Sequence, residues 1–233
     1  MITLPYAKDM VQAVFSRKAN RFTAEVIVQG SVREAHIPSS GRMVELLLEG
    51  AHCLLTPVAP SLTRKTKYTL SAVKTGQTWV SVDSTLPNRL MRQALSKRLV
   101  PELSDHRLAQ AEYTIGHSRF DFLLTRGARN TLVEVKSVTY VESGGAMFPD
   151  APTARGRRHI KELMELCLEG YNAVVFFVAQ RSDAQWLSAY VNIDPEFAAI
   201  LATAQRSGVR ILAYNCNVDE NSVRLNAVIP VRL

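Results

Sequence analysis

Between Arg21 and Ser84, apolar and polar positions interleave in short runs bounded by turn residues. Phe22, Ala24, Val26 and Val28 interleave with Thr23, Glu25, Ile27 and Gln29, and Gly30-Ser31 then turns the chain into Val32–Ile37. Gly41 opens a brief helix-like piece running through Leu46 and Leu48. Three more strands are predicted at His52–Val58, Lys67–Val73 and Thr78–Val82, with Gly76 between the last two. About five strands with one short helix fit a small closed barrel of the OB type; a partial sandwich would give the same pattern.

From Thr85 the period lengthens. Leu90, Met91, Ala94, Leu95 and Leu99 form one apolar helical face, opened by Pro87 and stopped by Pro101. Strands follow at Glu112–Ile115, Arg119–Thr125 and Thr131–Thr139. A loop rich in Gly and Pro, Ser143–Pro152, leads to a helix over Arg155–Glu169 that carries Ile160, Leu163, Met164 and Cys167 in one stripe. The strand Ala173–Gln180, a helix over Pro195–Ser207 and the strand Val209–Asn217 complete the pattern. The last helix has Asp194 as its cap, Pro195 in its first turn and Gly208 past its end. The order αβββαβ followed by αβ predicts an α/β domain over residues 85–233, after an all-β domain over residues 1–84.

Hydrophobic residues make up 47% and charged residues 21%, which excludes a wholly disordered chain. The longest apolar run, Ala173–Ala179, falls far short of the roughly 20 residues of a membrane span. Lys8 and Asp9 interrupt the first apolar stretch before a secretory signal can form, so the expected compartment is the cytoplasm. A net charge of +7, denser in the barrel half, favours polyanionic partners. Cys53, Cys167 and Cys216 form no CxxC pair and predict reduced, buried thiols. His52 beside Cys53 is a poor zinc half-site, because neighbours on a strand point to opposite faces.

The candidate chemistry lies in two adjacent strands. Glu134 and Lys136 are two apart and project from one face, while Val133 and Val135 face the other. Asp121 interrupts an apolar run in the preceding strand. With Arg126-Gly127-Ala128-Arg129 as the hairpin loop, Thr125 pairs with Asn130, Phe122 faces Val133 and Asp121 stands opposite Glu134. That register places their Cβ atoms about 5 Å apart. Two carboxylates so close need a proton or a cation between them. Mg²⁺ or Mn²⁺, which favour a few carboxylates plus water and phosphate oxygens, suit the pair. Lys136 then orients or helps deprotonate an attacking water and stabilises charge on a phosphate. The three residues are the minimal set for metal-assisted phosphodiester hydrolysis. The plainer alternative is a surface ion pair, since Glu and Lys at this spacing are common on strands.

Basic residues gather at three places. Arg64, Lys65 and Lys67 form a turn next to Tyr68; Arg17, Lys18 and Arg21 cluster near Phe22; and Arg155, Arg157 and Arg158 open a helix. OB folds bind single strands by combining a cationic groove with aromatic platforms. Phe22 and Tyr68 themselves read as core residues. Arginines at a helix N-terminus oppose the dipole unless an anion joins them, and ion pairs with Glu162 or Asp150 are the alternative.

The chain resembles the sugar fermentation stimulation protein A (SfsA) family over nearly its whole length. The matching stretches are Asn20–Val26, Arg64–Tyr68, SRFDFLL from Ser118, EVKSVT from Glu134 and, longest, Phe148–His159. The resemblance implies an N-terminal OB-like domain and a C-terminal domain of the PD-(D/E)XK nuclease-like fold. It also implies DNA binding without sequence specificity and a link to regulation of sugar, notably maltose, metabolism. By position, Asp121, Glu134 and Lys136 match the nuclease-fold signature. Glu112 stands where an upstream acid joins the metal site, and Asp150 follows the strand bearing Lys136. Ser39-Ser40-Gly41 departs from the Asn-Thr-Gly turn of many members. The alternative function is a Mg²⁺- or Mn²⁺-dependent nuclease for DNA or RNA processing. An enzyme of small phosphorylated metabolites ranks last, because the chain has neither a GxGxxG nor a P-loop motif.

Overall fold

A computed structural model describes residues 2–59 and 66–233. The chain begins with β1 (Thr3–Pro5), then forms β2 (Val11–Asn20), β3 (Thr23–Val28), β4 (Ser31–His36), β5 (His52–Pro57), β6 (Tyr68–Thr75) and β7 (Thr78–Ser81). After α1 (Leu86–Ser96) and a 3-10 turn at Pro101–Leu103 come β8 (Arg107–Ile115), β9 (Ser118–Arg126) and β10 (Arg129–Val138). The rest comprises β11 (Val141–Glu142), β12 (Gly145–Phe148), α2 (Ala154–Leu168), β13 (Asn172–Ala179), β14 (Trp186–Ala189), α3 (Pro195–Arg206), β15 (Arg210–Val218), β16 (Ser222–Val228) and β17 (Val231–Arg232).

Strands β2–β7 form a six-stranded sheet in the order β4-β3-β2-β5-β6-β7. Parallel pairing of Ala35 with Tyr68 and of His36 with Thr69 joins β4 to β6 and closes the barrel. Phe15, Val26, Ile37, Met43, Leu46, Leu55, Leu70 and Val80 fill it. This is the expected OB barrel with two corrections. Strand β2 precedes the predicted run. It was hidden because only Ala13 and Phe15 along it are buried, while Gln12, Arg17, Ala19 and Asn20 are exposed. Gly41–Leu48 forms turns, with Leu46 and Leu47 N–H both donating to the Met43 carbonyl, rather than a helix.

The second half is built on a seven-stranded sheet in the order β1-β16-β15-β13-β10-β9-β8. The order α1-β8-β9-β10-α2-β13, with the short β11 and β12 between β10 and α2, gives the predicted αβββαβ pattern. Helices α2 and α3 cover one face of this sheet and α1 covers the other. Helix α1 buries Leu86, Leu90, Met91, Ala94 and Leu95, and it stops where Arg98 takes a positive φ of 56° ahead of Pro101. Strands β11, β12, β14 and β17 make a separate small sheet. Part of it lies in the segment predicted as the Ser143–Pro152 loop, since strands of two to four residues show no alternation. Strand β1 pairs antiparallel with β16 over Thr3–Pro5 and so joins the large sheet rather than the barrel.

The barrel is clasped to the sheet. Ser81 N–H donates to the Gln180 carbonyl at 3.0 Å, and Gln180 Nε2 donates to the Asp83 carbonyl at 3.1 Å and to Ser137 Oγ at 2.8 Å. On the other side of the junction, Ser84 N–H and Oγ both donate to the Pro38 carbonyl. These bonds place the loop after Pro38 beside the C-terminal end of β10.

Candidate metal centre and nucleic-acid interface

The β9–β10 hairpin has the expected register, from Arg126 opposite Arg129 to Phe122 opposite Val133, with Thr125 opposite Asn130. The ladder ends there, one pair before Asp121 and Glu134. Beyond it the Asp121 side chain takes over from the backbone: Val135 N–H donates to Asp121 Oδ2 at 2.7 Å. Asn88 Nδ2, from α1, donates to Oδ1 at 2.6 Å. Asp121 therefore sits where β9 leaves β10, held by a strand amide and a helix amide.

Glu134 is 5% exposed. Its Oε1 accepts from Lys136 Nζ at 2.6 Å and lies 2.7 Å from His159 Nδ1. A carboxylate only accepts, so the His159 proton resides on Nδ1. The other ring nitrogen, Nε2, accepts from Arg155 Nε at 3.4 Å. This chain of contacts, Arg155 to His159 to Glu134, fixes the carboxylate from behind. Glu134 Oε2 has no hydrogen-bond partner among the described residues.

The two acids are driven apart electrostatically. Burial, then the charge of Glu134, pushes the Asp121 carboxyl up to about 6, against the opposing pull of the Val135 amide, Lys136 and Asn88. Burial would also raise Glu134, but Lys136 and His159 outweigh it and hold the group below the ordinary carboxylate range. One acid ionises readily while its neighbour resists, and such a pair gains from a cation. Among the described residues no three His, Cys, Asp or Glu side chains cluster at ligand spacing. Two carboxylates, one with an open oxygen, nevertheless fit Mg²⁺ or Mn²⁺, which take one or two carboxylates and complete their shell with water and phosphate oxygens.

Beside these residues, Lys136, Ser137 and Thr139 line a cleft of about 190 Å³ whose far wall is Ser39, Ser40 and Gly41 of the barrel. Asp150 also lines it, pressed so closely on Gly41 that a Cβ there would collide with the carboxylate. Asp150 thus faces the barrel loop. Glu112 is not gathered into the group either: its side chain is 71% exposed and pairs with Arg119 at 3.4 Å.

The basic residues divide. Arg17 is ion-paired with Glu25. Lys18 Nζ donates to the Arg42 carbonyl at 3.4 Å, and burial, with Arg21 adding to it, lowers its ammonium while Asp150 opposes. The Arg21 guanidinium lies 5.3 Å from the Phe22 ring centre, and that ring is 45% exposed with His36 alongside. Phe22 is therefore a surface aromatic, contrary to its core reading. Lys67 is exposed, and Arg64 and Lys65 lie outside the described residues. Arg155 is exposed and contacts His159; Arg158 reaches Glu162 at 3.7 Å. Arg157 is committed elsewhere. Its Nη1 donates to both oxygens of buried Asp194 at 2.8 Å, and it also pairs with Glu196. It ties α2 to α3 and is not available to a phosphate.

Asn88 and His159 have site roles that the strand pattern did not reveal. His159 stands in the Arg-Gly-Arg-Arg-His run, and a helical residue that is polar yet adjacent to the Ile160–Leu163 stripe is the only sequence signal for it. Asn88 has none.

Comparison with known proteins agrees with this architecture. The family model described as "SfsA N-terminal OB domain" matches residues 17–82, and "Sugar fermentation stimulation protein RE domain" matches residues 85–222. A sugar fermentation stimulation protein homolog from Desulforamulus reducens is 43% identical over 232 residues, covering 100% of this chain and 95% of the relative. The homolog from Moorella thermoacetica is 42% identical, with 100% of each chain covered. The solved structure of SfsA from Pyrococcus furiosus in complex with Ca²⁺ superimposes with a TM-score of 0.91 at 29% identity, covering 100% of both chains. The chain belongs to the sugar fermentation stimulation protein family.

Proposed function

We propose that this protein binds nucleic acid, DNA in the first place and without sequence preference, through its barrel, and that its sheet carries a divalent-metal centre for phosphodiester hydrolysis. The observation that carries the proposal is the Asp121–Glu134 pair: the Asp121 carboxyl is raised to about 6 by burial and Glu134, next to a cleft into which Lys136 opens. A Mg²⁺ or Mn²⁺ ion held by Asp121 and Glu134 would supply Lewis acidity toward a phosphodiester oxygen. The relative solved with Ca²⁺, another hard oxygen-seeking cation, supports this choice.

The chain's own groups have distinct tasks. Glu134 stays ionised because Lys136 and His159 favour its charge. Asp121 keeps both oxygens directed by the Val135 and Asn88 donors. The Lys136 ammonium, 2.6 Å from Glu134, orients an attacking water and stabilises negative charge developing on the phosphate. Arg21 and Phe22 provide a cation and a stacking face on the barrel. No helix among the described residues is long and apolar enough to cross a membrane.

Incubation with plasmid and single-stranded DNA plus Mn²⁺ tests the hydrolytic part. Nicking that disappears in Asp121→Ala and Glu134→Ala is expected; activity retained in both variants would assign it to a contaminant. Arg21→Ala is expected to weaken DNA binding while leaving Mn²⁺ binding intact. A second reading, a DNA-binding regulator of sugar (maltose) metabolism without turnover, draws on the near-complete burial of Glu134 and its engagement by two partners. Metal-independent DNA binding with no cleavage of any strand form would favour it.

A further inference from the structure

A larger cavity, of about 470 Å³, lies at the other end of the seven-stranded sheet, where β10, β13 and β15 begin. Arg126, Arg129 and Arg210 surround it, together with His106 and Thr131. Two acids stand nearby, and both are engaged. Asp105 pairs with Arg126 at 2.8 Å and contacts His106, while the Glu102 carboxylate accepts from Tyr214 Oη at 2.7 Å. Arg210 donates to the Glu102 carbonyl at 3.2 Å. Arg129 has neither an ion-pair nor a hydrogen-bond partner among the described residues. Three guanidinium groups against two carboxylates, Asp105 and Glu102, leave the cavity net positive.

Thr131 supplies an independent pointer. It is 2% exposed, it lines the cavity, and its Oγ1 has no hydrogen-bond partner. Interiors rarely leave a hydroxyl unsatisfied, because it forfeits its bonds to water without replacement. A hydroxyl and three guanidinium groups around one space have in common an affinity for oxyanions, and Arg forks match phosphate geometry. Strand alternation puts Thr131 on the face carrying Val133 and Val135, opposite Glu134 and Lys136. The cavity is therefore separate from the metal centre.

We propose that this cavity binds a small phosphate-bearing anion, of the size of a mononucleotide or a phosphorylated metabolite, with Arg129 and Arg210 on the phosphate and Thr131 Oγ1 as an added hydrogen-bonding group. The arginines ring one space rather than spreading along a groove, and its volume suits one small ligand rather than a run of backbone phosphates.

Pyrophosphate and AMP are the probes, titrated by calorimetry and thermal shift at matched ionic strength without divalent metal. Wild type is expected to show saturable binding and a raised melting temperature with at least one of them. Arg129→Ala should weaken that binding about tenfold or more. Thr131→Val, which keeps shape and removes one hydrogen bond, should weaken it about tenfold or less. Its melting temperature without ligand should not fall, which shows that the fold survives. Asp121→Ala should bind the probes as wild type does, so loss of the metal centre and loss of this site are told apart. Absence of binding in wild type, or undiminished wild-type binding in both cavity variants, overturns the proposal. So does a single-stranded oligonucleotide that binds in an Arg129-dependent way while neither probe does, since the cavity would then be a backbone contact.

Discussion

Asp121 carries a conflict that a cation resolves. Its carboxyl titrates near 6 in the fold and near 3.9 in an unfolded chain, so the folded state binds more protons between these values. Stability contributed by this group therefore falls as pH rises from about 4 to about 6 and stays lower above that. Asp121→Asn is expected to stabilise the metal-free protein at pH 7.5 by about 1–2 kcal/mol and to flatten this acid-side dependence, as chemical denaturation across pH would show. The same variant should lose the stabilisation that Mn²⁺ gives the wild type. His159, 2% exposed, touches Glu134 but lies behind it. As a positioning residue, His159→Phe should keep the fold through its similar volume, weaken Mn²⁺ binding about 10–100-fold and lower kcat rather than raise KM. Unchanged metal affinity in this variant would make the contact merely structural. At this scale the sequence was half legible. Alternation along one strand places Glu134 and Lys136 on a common face, whereas Asn88 and His159 reach the same spot from helices whose packing no local pattern encodes.

Among the elements, α2 and α3 are joined at their N-termini by one carboxylate. Asp194 caps α3 by accepting from Phe197 N–H at 2.9 Å, accepts from Thr153 N–H at 2.8 Å and holds Arg157. Burial would raise its pKa, yet these donors together hold the group below the ordinary range. Its stabilising effect is present above the unfolded-state pKa and is lost as pH falls through the lower folded one. Asp194→Ala is expected to cost about 2–4 kcal/mol in urea denaturation at neutral pH, more than an isolated cap does. The cap itself was readable from Asp194-Pro195; its double duty to α2 was not, and for that reason the Arg157 run read as a phosphate site. The short strands of the small sheet and the outward-facing β2 escaped for the same kind of reason, since too few of their side chains are buried to print a period. At the junction, Gly41 leaves room that Asp150 fills. Gly41→Val should displace that carboxylate, narrow the cleft and reduce DNA cleavage more than DNA binding, with little change in melting temperature.

The whole molecule pairs a basic barrel with a sheet that holds the acids. Single-stranded DNA affinity is expected to fall steeply with salt, because neutralised phosphates release counterions. Phe22→Ala, at a 45% exposed ring, should weaken it by about 1–3 kcal/mol without lowering thermal stability. A loss of stability instead would mark Phe22 as a packing residue. The family likeness pointed to both halves in advance, but not to how they are joined: β1 runs along β16 before the chain enters the barrel, and α1 leaves the barrel to pack under the same sheet. The barrel is thus an excursion between two fixed points and not a bead on a leash. A fragment cut at residue 85 would leave the flank of β16 bare, a row of unpaired amides and carbonyls ready to recruit another chain. Dissection at the apparent seam should yield clumping material, and supplying the first nine residues as a separate peptide should restore its solubility.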